Sequence, residues 1–316
     1  MAVIAVDLMS TSFTCAVIGK SGKILVQEKL SLEGLEGQAV SLLIRKKIKD
    51  LLTEFAGKPL QIKSVGISIP GIYNSKIGRA WAPNIPGWSN YPIKQDMAYF
   101  MEQNIMVKIA SKRTCDILGE KWLGAAKKSR NAIFLSIGSG IGAGVLIDGK
   151  IVHGLNDGAG AVGWMALDKP CREEYKEKGC FEYIASAKGI LNSVKELLLK
   201  GGTNSIILRK KDIHQLKIED VFNAYKLNDQ VAVKVIDEAI IYWGMASANL
   251  VSLFNPELII FGGTLFGPAL SFIDRIREEA NQWAQPIFAQ NVRFVESMLG
   301  ANAGLFGAGH LAMKKF

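Results

Sequence analysis

The chain has 316 residues, 49% apolar and 21% charged, a globular rather than disordered balance, and a length that exceeds what one core usually serves. No apolar run approaches the roughly 18 residues of a membrane span. The start MAVIAVDL has no basic n-region, and Cys15, Cys115, Cys171 and Cys180 are few and scattered, which together point to a reducing cytoplasm. The net charge of +9 raises nucleic acid as a partner, but the basic clusters at 45–47, 127–128 and 209–211 are dispersed and read as solvated helix surfaces, so neither nucleic acid nor membrane is expected.

Residues 3–8, 14–18 and 24–30 read as strands, the last two joined by Gly19-Lys20-Ser21-Gly22-Lys23. Residues 37–55 carry Val40, Leu43, Ile44, Ile48, Leu51, Leu52 and Phe55 at helical spacing. Residues 62–69 form a strand closed by Pro70-Gly71. The stretch 80–91, AWAPNIPGWSNY, is an irregular loop whose aromatic and amide groups suit a sugar, or equally plain packing. A helix follows over 92–101 with Pro92 in its first position, then a strand over 105–110. The next helix, 111–126, has Ser111 as N-cap. Lys112 and Arg113 in its first turn carry the wrong sign for the positive end of a helix dipole. They are either exposed or paired with an anion or carboxylate.

Residues 133–154, IFLSIGSGIGAGVLIDGKIVHG, read as strand, glycine turn, strand, Asp148-Gly149 hairpin and strand. Alternate glycines leave backbone N–H groups uncovered, which suits a phosphate chain; a glycine turn in an ordinary sheet fits as well. The same unit stands at the start of the chain as IAVDLMSTSFTCAVIGKSGKIL. With Asp7 set against Ser136, Ala16-Val17-Ile18 falls on Val145-Leu146-Ile147 without a gap. A whole repeated hairpin unit implies two similar domains. Further on come a glycine-rich link over 156–168 and the polar insert REEYKEKG between Cys171 and Cys180. Helices are expected over 180–199, 218–225 and 230–254, the last stopped by Asn255-Pro256. Strand 257–261 ends in Gly262-Gly263, which leaves room for a flat ring or a phosphate, or makes a plain turn. Helix 267–283, strand 292–295 and helix 300–316 complete the chain.

This order of features resembles the ROK family (repressors, open reading frames, kinases) of sugar kinases in the actin-like ATPase superfamily. The pieces that carry the likeness are Gly138-Ser139-Gly140-Ile141-Gly142, Pro70-Gly71, Ala82-Pro83-Asn84, Gly119-Glu120, Ala159-Gly160, Gly179-Cys180-Phe181-Glu182 and Asn255-Pro256-Glu257 with Gly262-Gly263. The resemblance implies an α/β chain of two actin-like (ribonuclease H-like) domains, 1–115 with 300–316 and 116–299, separated by a cleft. It implies ATP with Mg on Asp7, Thr11, Gly138, Ser139, Gly140, Gly142, Gly262 and Gly263, a sugar near Asn84, Ser111 and Glu182, and a homodimer. An Asp opening the helix after the first domain's last strand is the general base in such kinases, and positioning with charge neutralisation supplies most of the rest.

The chain departs from that pattern where the chemistry sits. Met9 and Ser10 stand where the first loop has glycines, and the family's Asn-Asp pair falls on Ser111 and Lys112. A lysine with a pKa of about 10.4 is protonated at neutral pH and accepts no proton. The family's Ala-Gly-Glu-x-Gly-His segment falls on Ala159 to Trp164 and has lost its Glu and His. Of the zinc cysteines only Cys171 and Cys180 stand, too few for a tetrahedral site, so no metal ligand set is expected. The reading is a ROK-type homologue that binds nucleotide, carbohydrate or both without normal phosphotransfer. The alternative is an active ATP-dependent kinase of an unusual, acidic sugar, with Asp116 or Asp157 as substitute base. A weaker one is a transcriptional regulator without its own DNA-binding domain, since the first strand begins at residue 2.

Overall fold

The structure is a computed structural model that describes residues 2–200 and 205–314. Strands β1 (Ala2–Leu8), β2 (Ser12–Gly19) and β3 (Ile24–Ser31) lead to α1 (Gln38–Glu54), β4 (Ile62–Ile69), β5 (Ile72–Asn74), β6 (Arg79–Trp81), α2 (Ile93–Met101), β7 (Met106–Ser111) and α3 (Lys112–Leu123). Next come β8 (Ala132–Ile137), β9 (Ile141–Ile147), β10 (Lys150–Ile151), α4 (Glu173–Lys178), α5 (Cys180–Ala185), α6 (Ala187–Lys200) and α7 (Ile218–Lys226). The chain closes with α8 (Gln230–Phe254), β11 (Leu258–Gly262), α9 (Ile273–Trp283), α10 (Pro286–Ala289), β12 (Arg293–Glu296) and α11 (Ala303–Met313).

Two five-stranded sheets have the orders β3-β2-β1-β4-β7 and β10-β9-β8-β11-β12. In the first, β2 is antiparallel to both neighbours while β1, β4 and β7 run parallel. In the second, β10 is antiparallel to β9 while β8, β11 and β12 run parallel. The repeat seen in the hairpin unit therefore extends to all five strands. The chain clusters into two compact units, residues up to 130 with 144–160 and from 297 onward, and residues 131–143 with 161–296.

Side-chain parity along β1 builds the first unit. Ala2, Ile4, Val6 and Leu8 enter a core with Val40, Ile44 and Ile48 of α1 and Phe100 of α2, whereas Val3 and Ala5 enter a second core with Cys115 of α3 and Leu305, Ala308 and Ala312 of α11. Odd positions of β1 thus face α3 and α11. The contact is close. A Cβ on Gly119 would overlap the carbonyl oxygen of Ala303, and one on Gly307 that of Cys115. This keeps all of α3 in the first unit.

Several local expectations shift. Pro92 precedes α2 as its N-cap residue instead of opening it. Residues 80–91 begin within β6, which pairs with β5. The polar insert forms α4. The expected helix 180–199 breaks at Ser186, which is extended and whose Oγ accepts from Gly189 N at 3.1 Å, the habit of an N-cap serine. Helix 267–283 starts as a 3-10 turn over Pro268–Phe272. The expected end of the last helix at 316 lies outside the described residues. Among the described residues no helix is long and apolar enough to cross a membrane.

Candidate functional site

In the first unit the carboxyl ends of β1, β4 and β7 bring the chemistry together. Register places Asp7 beside Ser68 and Ser68 beside Ala110, and the chain then runs through Ser111 into Lys112. Because Asp7 has the odd parity of Val3 and Ala5, its carboxylate faces α3. Lys112 Nζ donates to Asp7 Oδ2 at 3.1 Å and to Asp116 Oδ1 at 3.1 Å, one turn along its own helix. Ser68 Oγ donates to Asp7 Oδ1 at 2.7 Å. Gly304 of α11 makes the room: a Cβ there would lie 2.5 Å from Lys112 Nζ and 2.7 Å from Asp7 Oδ1.

The ammonium of Lys112 is held between two carboxylates that are 5% and 2% exposed. Burial works to lower the Lys112 pKa, but the charges of Asp116 and Asp7 and the hydrogen bonds to both raise it well above the ordinary lysine value. Burial pushes Asp116 up to about 6, with Lys112 opposing and Asp7 reinforcing. Of the two cations in the first helical turn, Lys112 meets carboxylates and Arg113 donates to the backbone carbonyl of Asp157 at 2.9 Å; burial lowers the Arg113 pKa.

The other expected residues of this unit have different partners. The Asp157 carboxylate accepts from Ser75 N and Oγ at 2.9 and 2.7 Å and pairs with His153 Nδ1 at 3.0 Å. Ser111 is buried and occupies the N-cap position of α3, yet makes no capping bond; its Oγ accepts from Tyr73 N at 3.0 Å. Asn84 is exposed in its loop, and so is Thr11. Met9 N donates to Ser12 O at 2.8 Å, closing the first turn.

In the second unit residues 138–140 turn between β8 and β9. Gly138 N donates to Gly140 O at 2.9 Å, and Ala187 N donates to Gly138 O at 2.8 Å. Ile141 N donates to Glu182 Oε2 at 2.6 Å. Glu182, expected near a sugar, therefore lies against this turn, with its pKa raised by burial in spite of that bond. Ser139 is exposed and Gly142 half-buried. A Cβ on Gly138 would come 2.7 Å from Thr264 Oγ1. The space at Gly262 is filled by the Phe134 ring, and Gly263 has φ +93° with the backbone of Ile137 beneath it. Close packing and the left-handed turn account for both glycines.

Sequence reasoning missed Ser68 and Thr264. Ser68 has a signal, since it sits two residues before Pro70 at the end of a strand, where parallel sheets present their functional groups. Thr264 has none beyond following Gly262-Gly263. Cys171 is exposed and Cys180 buried, both as free thiols. Among the described residues no group of three His, Cys, Asp or Glu is placed to hold a metal.

The profile of the ROK family matches residues 3–315. The chain belongs to the ROK family. A glucokinase of Halalkalibacterium halodurans is 29% identical over 321 residues, covering 99% of this chain and 95% of that protein. Among solved structures, a ROK family transcriptional regulator, a homolog of the E. coli MLC protein, has a TM-score of 0.84 at 25% identity, covering 98% of this chain and 77% of that one. A ROK family glucokinase from Streptomyces griseus, in complex with glucose and AMPPNP, has a TM-score of 0.80 at 23% identity, covering 99% of each chain. The fold is the actin-like two-domain α/β fold of ROK sugar kinases. Such ROK relatives include both kinases and a regulator, so the chemistry of this member rests on its own side chains.

Proposed function

We propose that this ROK protein binds carbohydrate, nucleotide or both and does not carry out normal sugar phosphotransfer. The observation that carries the reading is the Lys112 ammonium held at 3.1 Å from both Asp7 and Asp116. A general base must accept the proton of the attacking hydroxyl. Lys112 has no lone pair to offer at neutral pH, and its partners hold it protonated. Asp116 has a pKa that would suit a base, but geometry comes first. Its carboxylate is buried and engaged with Lys112. Asp157 is committed to Ser75 and His153. Loss of a placed base typically costs about 100- to 10,000-fold.

The resemblance implies ATP with Mg. The donor set at Asp7 does not fit a divalent cation, because such an ion would meet the Lys112 ammonium on the same carboxylate. Phosphate would rely on the second unit's turn, where the Thr264 hydroxyl stands near Gly138 and the N–H groups of Gly138 and Ile141 are already taken by Gly140 O and Glu182.

The test is ADP release with ATP and Mg against neutral and acidic sugars, alongside calorimetric titration of glucose and of AMPPNP. Turnover is expected at least about 100-fold below the 1–100 per second of typical kinases, with saturable binding of at least one ligand. Turnover that survives Lys112→Ala but is lost in Asp116→Asn or Asp157→Asn would sink this reading and establish an active kinase with a substitute base.

A further inference from the structure

The first unit carries a second feature beside the Asp7–Lys112–Asp116 cluster. A groove of about 990 Å³ runs along β7, and all six residues of that strand line it. That volume lies at the upper end of ligand-binding cavities. β7 is the terminal strand of its sheet and pairs on one side only, with β4. An edge strand of this kind directs alternate N–H and C=O groups away from its neighbour.

The groove has an apolar floor and a cationic rim. Ile105, Leu118, Ile151 and Leu311 extend the floor beyond the strand. Met101, Met106 and Leu155 stand at its mouth with 47%, 43% and 79% of their surface exposed. Around them lie Lys76, Lys94 and Lys314, while Lys108 Nζ donates to the carbonyl of Lys314. Lysines on an edge strand ordinarily guard it against pairing, but Lys76, Lys94 and Lys314 belong to other segments and surround the groove. The acid in the lining is Asp157, whose carboxylate is already held by Ser75 and His153. Burial, with the charge of Lys314 adding to it, lowers the pKa of Lys108, as expected where cations crowd one another.

We infer that this groove docks an extended acidic segment of a partner protein, which adds a strand to β7 and sets its carboxylates against the lysine rim. Main-chain pairing supplies register, alternate apolar side chains enter the floor, and the charge selects acidic over basic segments. At about 3.3 Å per residue, five or six residues of such a segment match the length of β7.

Fluorescence anisotropy tests this with two tagged hexapeptides of alternating Glu and Val, one starting with each residue, so that both registers are sampled. Saturable binding of at least one is expected. Methylating its alternate amide nitrogens removes donors without altering charge, and is expected to weaken binding at least 10-fold. The Lys94→Glu, Lys314→Glu double variant, at unchanged melting temperature, is expected to weaken it at least 10-fold as well. Equal binding of the methylated peptide would overturn strand addition, and indifference to charge reversal would overturn the acidic partner. Failure of both registers to saturate would overturn the site, as would displacement by dodecanoate of a peptide that tolerates methylation.

Discussion

Lys112 neutralises two carboxylates that have little access to water, so its removal acts on the fold before it acts on any ligand. Lys112→Met keeps the stem and deletes the charge. Breaking a buried ion pair on one side costs about 3–5 kcal/mol, and a loss of that size is expected in urea unfolding at pH 7.5. The loss should shrink at pH 5, where Asp116 takes up a proton. Asp116→Asn isolates the second effect. The folded pKa of Asp116, about 6, is raised above the ordinary value of about 3.9. Its contribution to stability is therefore full below the unfolded pKa and is lost as pH rises through 6. The asparagine variant lacks this dependence, so its stability relative to the wild type should rise between pH 4 and 7 by on the order of 3 kcal/mol. A difference that stays flat over this range would show that Asp116 titrates normally.

At the scale of elements, α3 carries Lys112, Asp116 and Glu120 at i, i+4 and i+8, one stripe on one face. That side of the helix meets α11 closely because Ala303, Gly304 and Gly307 have little or no side chain. Gly307 is the tightest point, where a methyl group would overlap the Cys115 carbonyl. In a free helix Gly→Ala gains about 1 kcal/mol, whereas overpacking costs about 1–3 kcal/mol or more. Gly307→Ala is expected to lose at least about 2 kcal/mol on balance. Gly267→Ala, with open space around it, should stay within about 0.5 kcal/mol of the wild type. Equal stability of the two variants would mean that α3 and α11 can move apart. Part of this arrangement was legible in the sequence: the parity of Asp7 in β1 and the helical spacing of Lys112 and Asp116 are both periodic signals. Their meeting was not, since it depends on α11, which begins only at Ala303. Ser111 shows the same limit, because local pattern marks it as a cap and a distant Tyr73 N–H takes its hydroxyl instead.

For the whole molecule, the repeated hairpin unit made the two-sheet plan readable, because like strand patterns produce like sheets. The grouping of segments was less readable, since it follows tertiary contacts. The first unit is discontinuous: the chain leaves it at residue 130, returns over 144–160, and comes back finally from 297. Glu120 secures that return. Fully buried, it accepts from Ser297 Oγ at 2.5 Å, Leu299 N at 3.1 Å and Ala125 N at 2.7 Å. Then α11 covers Val3, Ala5 and Ile18 with Leu305, Ala308 and Ala312. A chain ending at Glu296 loses that cover and leaves the Glu120 carboxylate short of two donors. Each large apolar side chain left in water forfeits about 1.5–3 kcal/mol, and a carboxylate that keeps only its Ala125 N–H donor adds to the loss. Together these rival the 5–15 kcal/mol that holds a typical domain folded. The second unit has its own core around Phe134, Phe181, Trp243 and Phe261. Hydrogen exchange on the truncated chain should therefore show β1, β4 and β7 exchanging within seconds while β8 and β11 stay protected for hours. Protection retained in β1 would mean that the first unit assembles without its last helix, and the Asp7–Lys112–Asp116 cluster would then owe its geometry to α3 and the sheet alone.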